Sequence, residues 1–85
     1  MSGEIMLRHA ATVFTERSAQ YGEPRAFFDA LAKRWSLTLG HTVTPAEVVL
    51  CMIDLKLERL CGSAGHADSI VDIAGYAAVL HEVSR

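Results

Sequence analysis

Several classes of function are closed to this chain by what it has little of. It carries two cysteines, Cys51 and Cys61. They fall on one predicted helix, where ten residues of rise separate them by about 15 Å, beyond the roughly 7 Å between Cα atoms that a disulfide can span. Neither belongs to a Cys-x-x-Cys pair, so a structural zinc site is not expected. Such thiol usage fits a reducing cytoplasm. The four histidines, His9, His41, His66 and His81, show no metal-ligand spacing such as His-x-x-x-His. No Ser/His/Asp order, glycine-rich phosphate loop or nucleic-acid motif occurs. Charge of one sign is scarce too: a formal net charge of −2 argues against electrostatic binding to a nucleic-acid polymer. No run of about 20 apolar residues is present, so no membrane span is expected. The N-terminus lacks the charged region and small-residue cleavage site of a signal peptide.

Apolar side chains, by contrast, are plentiful. Half of the 85 residues (51%) are hydrophobic, enough for one domain. A domain this small buries only about 60–65% of its unfolded surface. The apolar surplus therefore points to cover by a second subunit, most simply a homo-oligomer.

The punctuation reads as four helices. The first spans about Glu4 to Gln20 and stops at Tyr21-Gly22. The second starts at Pro24, a favourable first-turn residue, and ends at Gly40. The third has the strongest start signal: Thr44-Pro45-Ala46-Glu47 is a capping box with proline in the first helical position. A left-handed stop is expected at Cys61-Gly62. The fourth runs from Asp68 or Ser69 to about Val83. No strand alternation competes, and the short linkers predict an antiparallel four-helix bundle. Helix two offers Phe27, Phe28, Leu31 and Trp35 to a core. Helix three is apolar nearly all round from Val48 to Ile53 and is the expected central helix. Helix four offers Ile70, Ile73, Ala74, Ala77 and Leu80 to the core. Its small residues Gly75, Ala77 and Ala78 suit close approach of another helix.

The chemistry lies in charges set inside these apolar patterns. Asp68, Asp72, Gly75 and Tyr76 fall along one stripe of helix four, because residues three and four apart share a face. On helix three, Asp54 and Glu58 share one face, while Lys56 and Arg59 share another, roughly opposite. A charge near packed surface needs a partner, and Asp72 is the natural one for Lys56 or Arg59. The same groups could instead line a polar pocket. The cations would then hold phosphate oxygens, and the carboxylates would hold Mg²⁺, hydroxyls or base nitrogens. A further constellation is Arg17…Tyr21-Gly22-Glu23-Pro24. It is a helix stop and turn, and its guanidinium and ring, one turn apart, could also form a phosphate and base clamp. His66 lies in the loop before Asp68, where exposure is expected. Trp35 is expected in the core.

Taken together, Gln20-Tyr21-Gly22-Glu23-Pro24, Trp35…Leu39-Gly40, Thr44-Pro45, Leu55-Lys56…Arg59-Leu60 and Asp68-Ser-Ile-Val-Asp72-Ile-Ala-Gly75-Tyr76-Ala resemble a small domain common in phage and prophage genomes. That domain is similar to the MazG-like, all-α NTP pyrophosphatase superfamily. The resemblance covers about residues 17–80. It implies a helical bundle completed by a second subunit, and a nucleotide ligand. It also implies Mg²⁺ held by a Glu-x-x-Glu on one core helix and a Glu-x-x-Asp on the next, with metal-activated water cleaving between the α and β phosphates. Asp72 matches the final aspartate. The upstream glutamate position holds Ser69, and helix three has no Glu-x-x-Glu.

The loss of that set favours binding over cutting. The expectation is a phage-type protein, in the host cytoplasm, that sequesters a signalling nucleotide of antiviral defence without turnover. Arg17, Tyr21, Lys56, Arg59, Asp68, Asp72 and Tyr76 are its candidate ligand residues, with no obligatory cofactor. The alternative is an Mg²⁺-dependent NTP pyrophosphatase, with Asp54, Glu58, Asp68 and Asp72 as metal ligands. A third reading is a helical protein-interaction module with no small ligand.

Overall fold

The computed structural model describes residues 2–63 and 65–85. Four α-helices follow in order: α1 Gly3–Tyr21, α2 Pro24–Leu39, α3 Pro45–Gly62 and α4 Ala67–Val83. No strand occurs among the described residues.

The local reasons for these boundaries are visible in the caps. Ser2 begins α1 by accepting from the Ile5 backbone N–H. The chain leaves α1 through Gly22, at φ +91°, a conformation that glycine tolerates far better than other residues. Pro24 opens α2 directly after, and Gly40 closes it in the left-handed conformation. The Ser36 hydroxyl accepts from the Val43 N–H at 2.8 Å and donates to the Ala32 carbonyl at 2.7 Å, which ties the α2–α3 loop back to its helix. The capping box at Thr44 is complete: Thr44 Oγ1 accepts from the Glu47 N–H, and the Glu47 carboxylate accepts from the Thr44 N–H at 2.9 Å. Those hydrogen bonds, to the Thr44 backbone first and its side chain second, lower the pKa of Glu47.

The end of α3 departs from expectation. Gly62 stays helical and Ser63 caps the helix, with its N–H on the Arg59 carbonyl. The loop takes its positive φ at Gly65 instead. His66 is no exposed loop residue. It is half-buried and is the N-cap of α4, its Nδ1 accepting from the Ser69 N–H at 3.2 Å. The Ser69 hydroxyl lies 2.9 Å from the same nitrogen.

The core joins α2, α3 and α4. Val48 and Val49 are fully enclosed and cluster with Phe28, Ala32 and Val79, and Trp35, Tyr76 and Leu80 pack around them. Val48 and Val49 at the start of α3 meet Val79 near the end of α4, while Lys56 meets Asp72 near the start of α4. These two helices are therefore antiparallel.

The central helix is α4, not α3. It packs against all three others, whereas α1 and α3 do not meet among the described residues. The apolar wrap of α3 is correspondingly left open, with Leu50, Leu55 and Leu57 exposed. Because α4 is flanked on two sides, its buried positions are Ser69, Val71 and Val79, and Ile70 and Ala77 face outward. Phe27, adjacent to Phe28 on α2, is likewise exposed. Neighbours on a helix point about 100° apart, and here Phe28 turns to the core while Phe27 does not.

Candidate functional site

A cleft of about 350 Å³ opens between α1, the start of α2 and α4. Its shape follows from local rules. The tight exit from α1 at Gly22, followed at once by Pro24, folds the first turns of α2 back beside the last turn of α1. Tyr21 and Phe27 thereby come to 6.2 Å between ring centroids. Phe27 meets Phe28 edge-on at 5.2 Å, and Phe28 meets Tyr76 of α4 edge-on at 6.5 Å. Four rings thus run from the exposed rim to the core, at spacings where aromatic pairs attract. Val13, Phe14, Val71 and Val79 complete the apolar lining.

On α4 the same wall carries Gly75. A Cβ there would meet nothing within 4 Å, so close helix packing does not require the glycine. Its missing side chain leaves the cleft open instead. A mid-helix glycine costs about 0.5–1 kcal/mol relative to alanine, and no contact seen here offsets that.

Polar chemistry is concentrated at Asp72. Its Oδ2 accepts from Lys56 Nζ at 3.0 Å and its Oδ1 from Arg17 at 3.2 Å. The Asp72 and Lys56 side chains are each 13% exposed, and that of Arg17 is 54% exposed. Burial alone would raise the Asp72 pKa. The Lys56 ammonium, by hydrogen bond and by charge, and then Arg17 outweigh it, and the carboxyl is held below its ordinary range. Two cations on one carboxylate leave a positive excess. Lys56 is behind the wall. Arg17 and Asp72 are the charged groups that line the cleft.

The structure thus brings Arg17, Tyr21, Asp72, Gly75 and Tyr76 into one place, with Lys56 supporting them. Arg59 and Asp68 are exposed and do not line the cleft. Arg59 makes no ion pair to α4 among the described residues, so Lys56 alone ties α3 to Asp72. Asp54 and Glu58 are exposed on α3. Two residues from Lys56, each is turned about 200° away from it. Among the described residues, no three acidic, histidine or cysteine side chains converge on a point that could hold a metal ion. The four carboxylates expected as Mg²⁺ ligands, Asp54, Glu58, Asp68 and Asp72, are therefore not gathered at one point within a single copy of the chain. Phe27 and Phe28 line the cleft and were not expected at a site.

Comparison with known proteins places the chain among phage relatives. The family model described as Domain of unknown function (DUF6378) matches residues 4–84. The Gene 55 protein of Mycobacterium phage D29 is 32% identical over 83 residues, covering 98% of this chain and 55% of that protein. The Gene 55 protein of Mycobacterium phage L5 is 36% identical over 69 residues, covering 80% and 44% respectively. The chain spans about half the length of these relatives. No solved structure matches it. No helix among the described residues is long and apolar enough to cross a membrane.

Proposed function

The chain belongs to the family described as Domain of unknown function (DUF6378), and for this member we propose that the α1–α2–α4 cleft binds a phosphate-containing nucleotide and holds it without cleaving it. The observation that carries this reading is the half-exposed Arg17 guanidinium, standing beside Tyr21 at the mouth of an aromatic cleft and tethered to Asp72. A base stacks on the rings near the rim, as bases do on exposed aromatic side chains. Arg17 turns one face of its planar fork to a phosphate. Asp72 accepts from a ribose hydroxyl or a base N–H in place of one Arg17 bond, and Lys56 keeps it ionised meanwhile. At about 350 Å³ the cleft is near the lower end of the roughly 300–1,000 Å³ typical of small-molecule sites. That suits one nucleotide unit.

Retention rather than turnover is favoured by what surrounds Asp72. In the MazG-like resemblance this carboxylate would hold a metal. Here both of its oxygens are taken by cations, and Asp54, Glu58 and Asp68 do not join it. A protein that captures a nucleotide in this way can sequester it, and for a phage-type protein a host signalling nucleotide, linear or cyclic, is the fitting cargo.

Native mass spectrometry with a panel of linear and cyclic nucleotides, with and without Mg²⁺, tests this. Intact nucleotide is expected on the protein. Arg17→Ala should weaken binding by roughly ten- to a hundred-fold, since a charge-assisted hydrogen bond contributes about 1.5–3 kcal/mol, while the helical circular dichroism is unchanged. Retained affinity in a folded Arg17→Ala protein would remove the proposal. Release of pyrophosphate from a triphosphate would replace retention with hydrolysis.

A further inference from the structure

One helix carries an apolar seam with nothing to face. Along α3, Leu50, Ile53, Leu57 and Leu60 follow at intervals of three, four and three, the a/d spacing of a coiled coil. Ile53 and Leu60 are half-buried against the protein's own helices, but Leu50 and Leu57 are 48% and 47% exposed. None of the four lines the cleft. The flank is open because α3 packs on α2 and α4 and has no contact with α1 among the described residues.

The molecule as a whole shows the same incompleteness. Its radius of gyration is 13.6 Å, against roughly 12 Å for a compact domain of this length. It exposes 5756 Å², whereas a compact monomer of 9.3 kDa exposes about 5,000 Å². The surplus of roughly 750 Å² is close to the ~800 Å² that each partner contributes to a standard protein interface.

We propose that the seam Leu50–Ile53–Leu57–Leu60 of α3 is an interface with a second copy of this chain, paired about a two-fold axis. The spacing itself selects that partner. Intervals of three, four and three read alike from either end. An antiparallel copy therefore sets Leu50 across from Leu60 and Ile53 across from Leu57, and the reverse on the other half. This is the self-complementarity that an isologous dimer needs. The inference stands apart from the nucleotide reading, because seam and cleft share no residue.

Sedimentation velocity over a concentration series tests it. The wild-type protein is expected at twice 9.3 kDa at the upper concentrations. Leu50→Gln/Leu57→Gln is expected to return it to monomer with its helical circular dichroism retained. Leu37→Gln, at a position 86% exposed and outside the seam, should leave the dimer intact. The unaltered chain provides a second measurement. Cys61 follows Leu60 beside the seam, and Cys51 lies on the far flank of α3, both thiols being free and exposed. Association should slow maleimide labelling of Cys61 relative to Cys51. A monomer at every concentration would overturn the proposal, as would a dimer surviving in the folded double variant. Should that variant fail to fold, equal labelling of the two thiols throughout the series would overturn it.

Discussion

Helices α1 and α3 are nearly the same length and are held in place by different forces. The 18 residues of α3 include Val48 and Val49, both sealed completely in the core. The 19 residues of α1 bury Ala10 alone. What fastens the C-terminal end of α1 is a charged contact, Arg17 to Asp72, and an aromatic one, Tyr21 to Phe27. Close-packed branched side chains fix α3 by shape, and shape admits no ligand. An ion pair and a row of rings fix α1 more weakly, and in the proposed function the same groups exchange for a phosphate and a base. The cleft lies where packing is least complete, in keeping with binding elements being drawn from the less stable parts of a fold.

The largest test of this contrast sets a core charge against a surface one. Val48→Asp would place a carboxylate in a site with no partner, at a cost expected to exceed about 4 kcal/mol. That is comparable to the whole stability of a domain this size, so thermal unfolding should lose its cooperative transition. Ala11→Asp on the exposed side of α1 should shift stability by no more than about 1 kcal/mol. Similar losses in both would erase the distinction between the helices.

Lys56 belongs to the strongly held side. Lys56→Met should cost about 2–4 kcal/mol in chemical denaturation, since it strips a largely buried carboxylate of its closest cation. Adding Asp72→Asn should recover part of the loss. The pair also predicts an acid limb. An aspartate whose pKa falls on folding stabilises the native state above its unfolded pKa, about 4. That contribution disappears as pH drops through the lower folded value. Urea midpoints should therefore fall below about pH 4, and less steeply in Asp72→Asn. An identical acid limb in the variant would assign the pH dependence elsewhere.

The smallest effect sharpens the contrast most. Gly75→Ala has room for its methyl group and should raise stability by about 0.5–1 kcal/mol. It should also narrow the cleft and weaken nucleotide binding. A variant that gained stability and kept full affinity would separate Gly75 from the site.

Helix limits were legible from the sequence because capping is local. Thr44-Pro45-Ala46-Glu47 and Gly40 act within one turn of themselves, and the structure realises both. The partnership of Lys56 with Asp72 was legible as well, because a charge in an apolar stripe demands an opposite charge on the next helix. Less legible was which of two neighbours would turn inward. Lys56 is half-buried and Arg59, three residues on, is exposed. Likewise Phe28 is buried in the core and Phe27, its neighbour, is exposed. A few tens of degrees of helix rotation separate these outcomes, and hydrophobic periodicity does not resolve so small an angle. The placement of α4 rather than α3 at the centre belongs here too, since an apolar surplus on α3 reads alike whether its own chain or another covers it.

By itself, then, the sequence determined four helices, the capping box of α3, the glycine stops of α1 and α2, and the need of Asp72 for a cation, because each depends on contacts within a turn or on the cost of an unpaired charge. Only the tertiary structure decided that Arg17, 55 positions earlier in the chain, supplies a second cation. The same packing decided that Tyr21, Phe27, Phe28 and Tyr76 line one cleft. These are relations between helices, and they follow from how α1 and α2 settle against α4, a balance of many small packing energies that no single stretch of sequence contains.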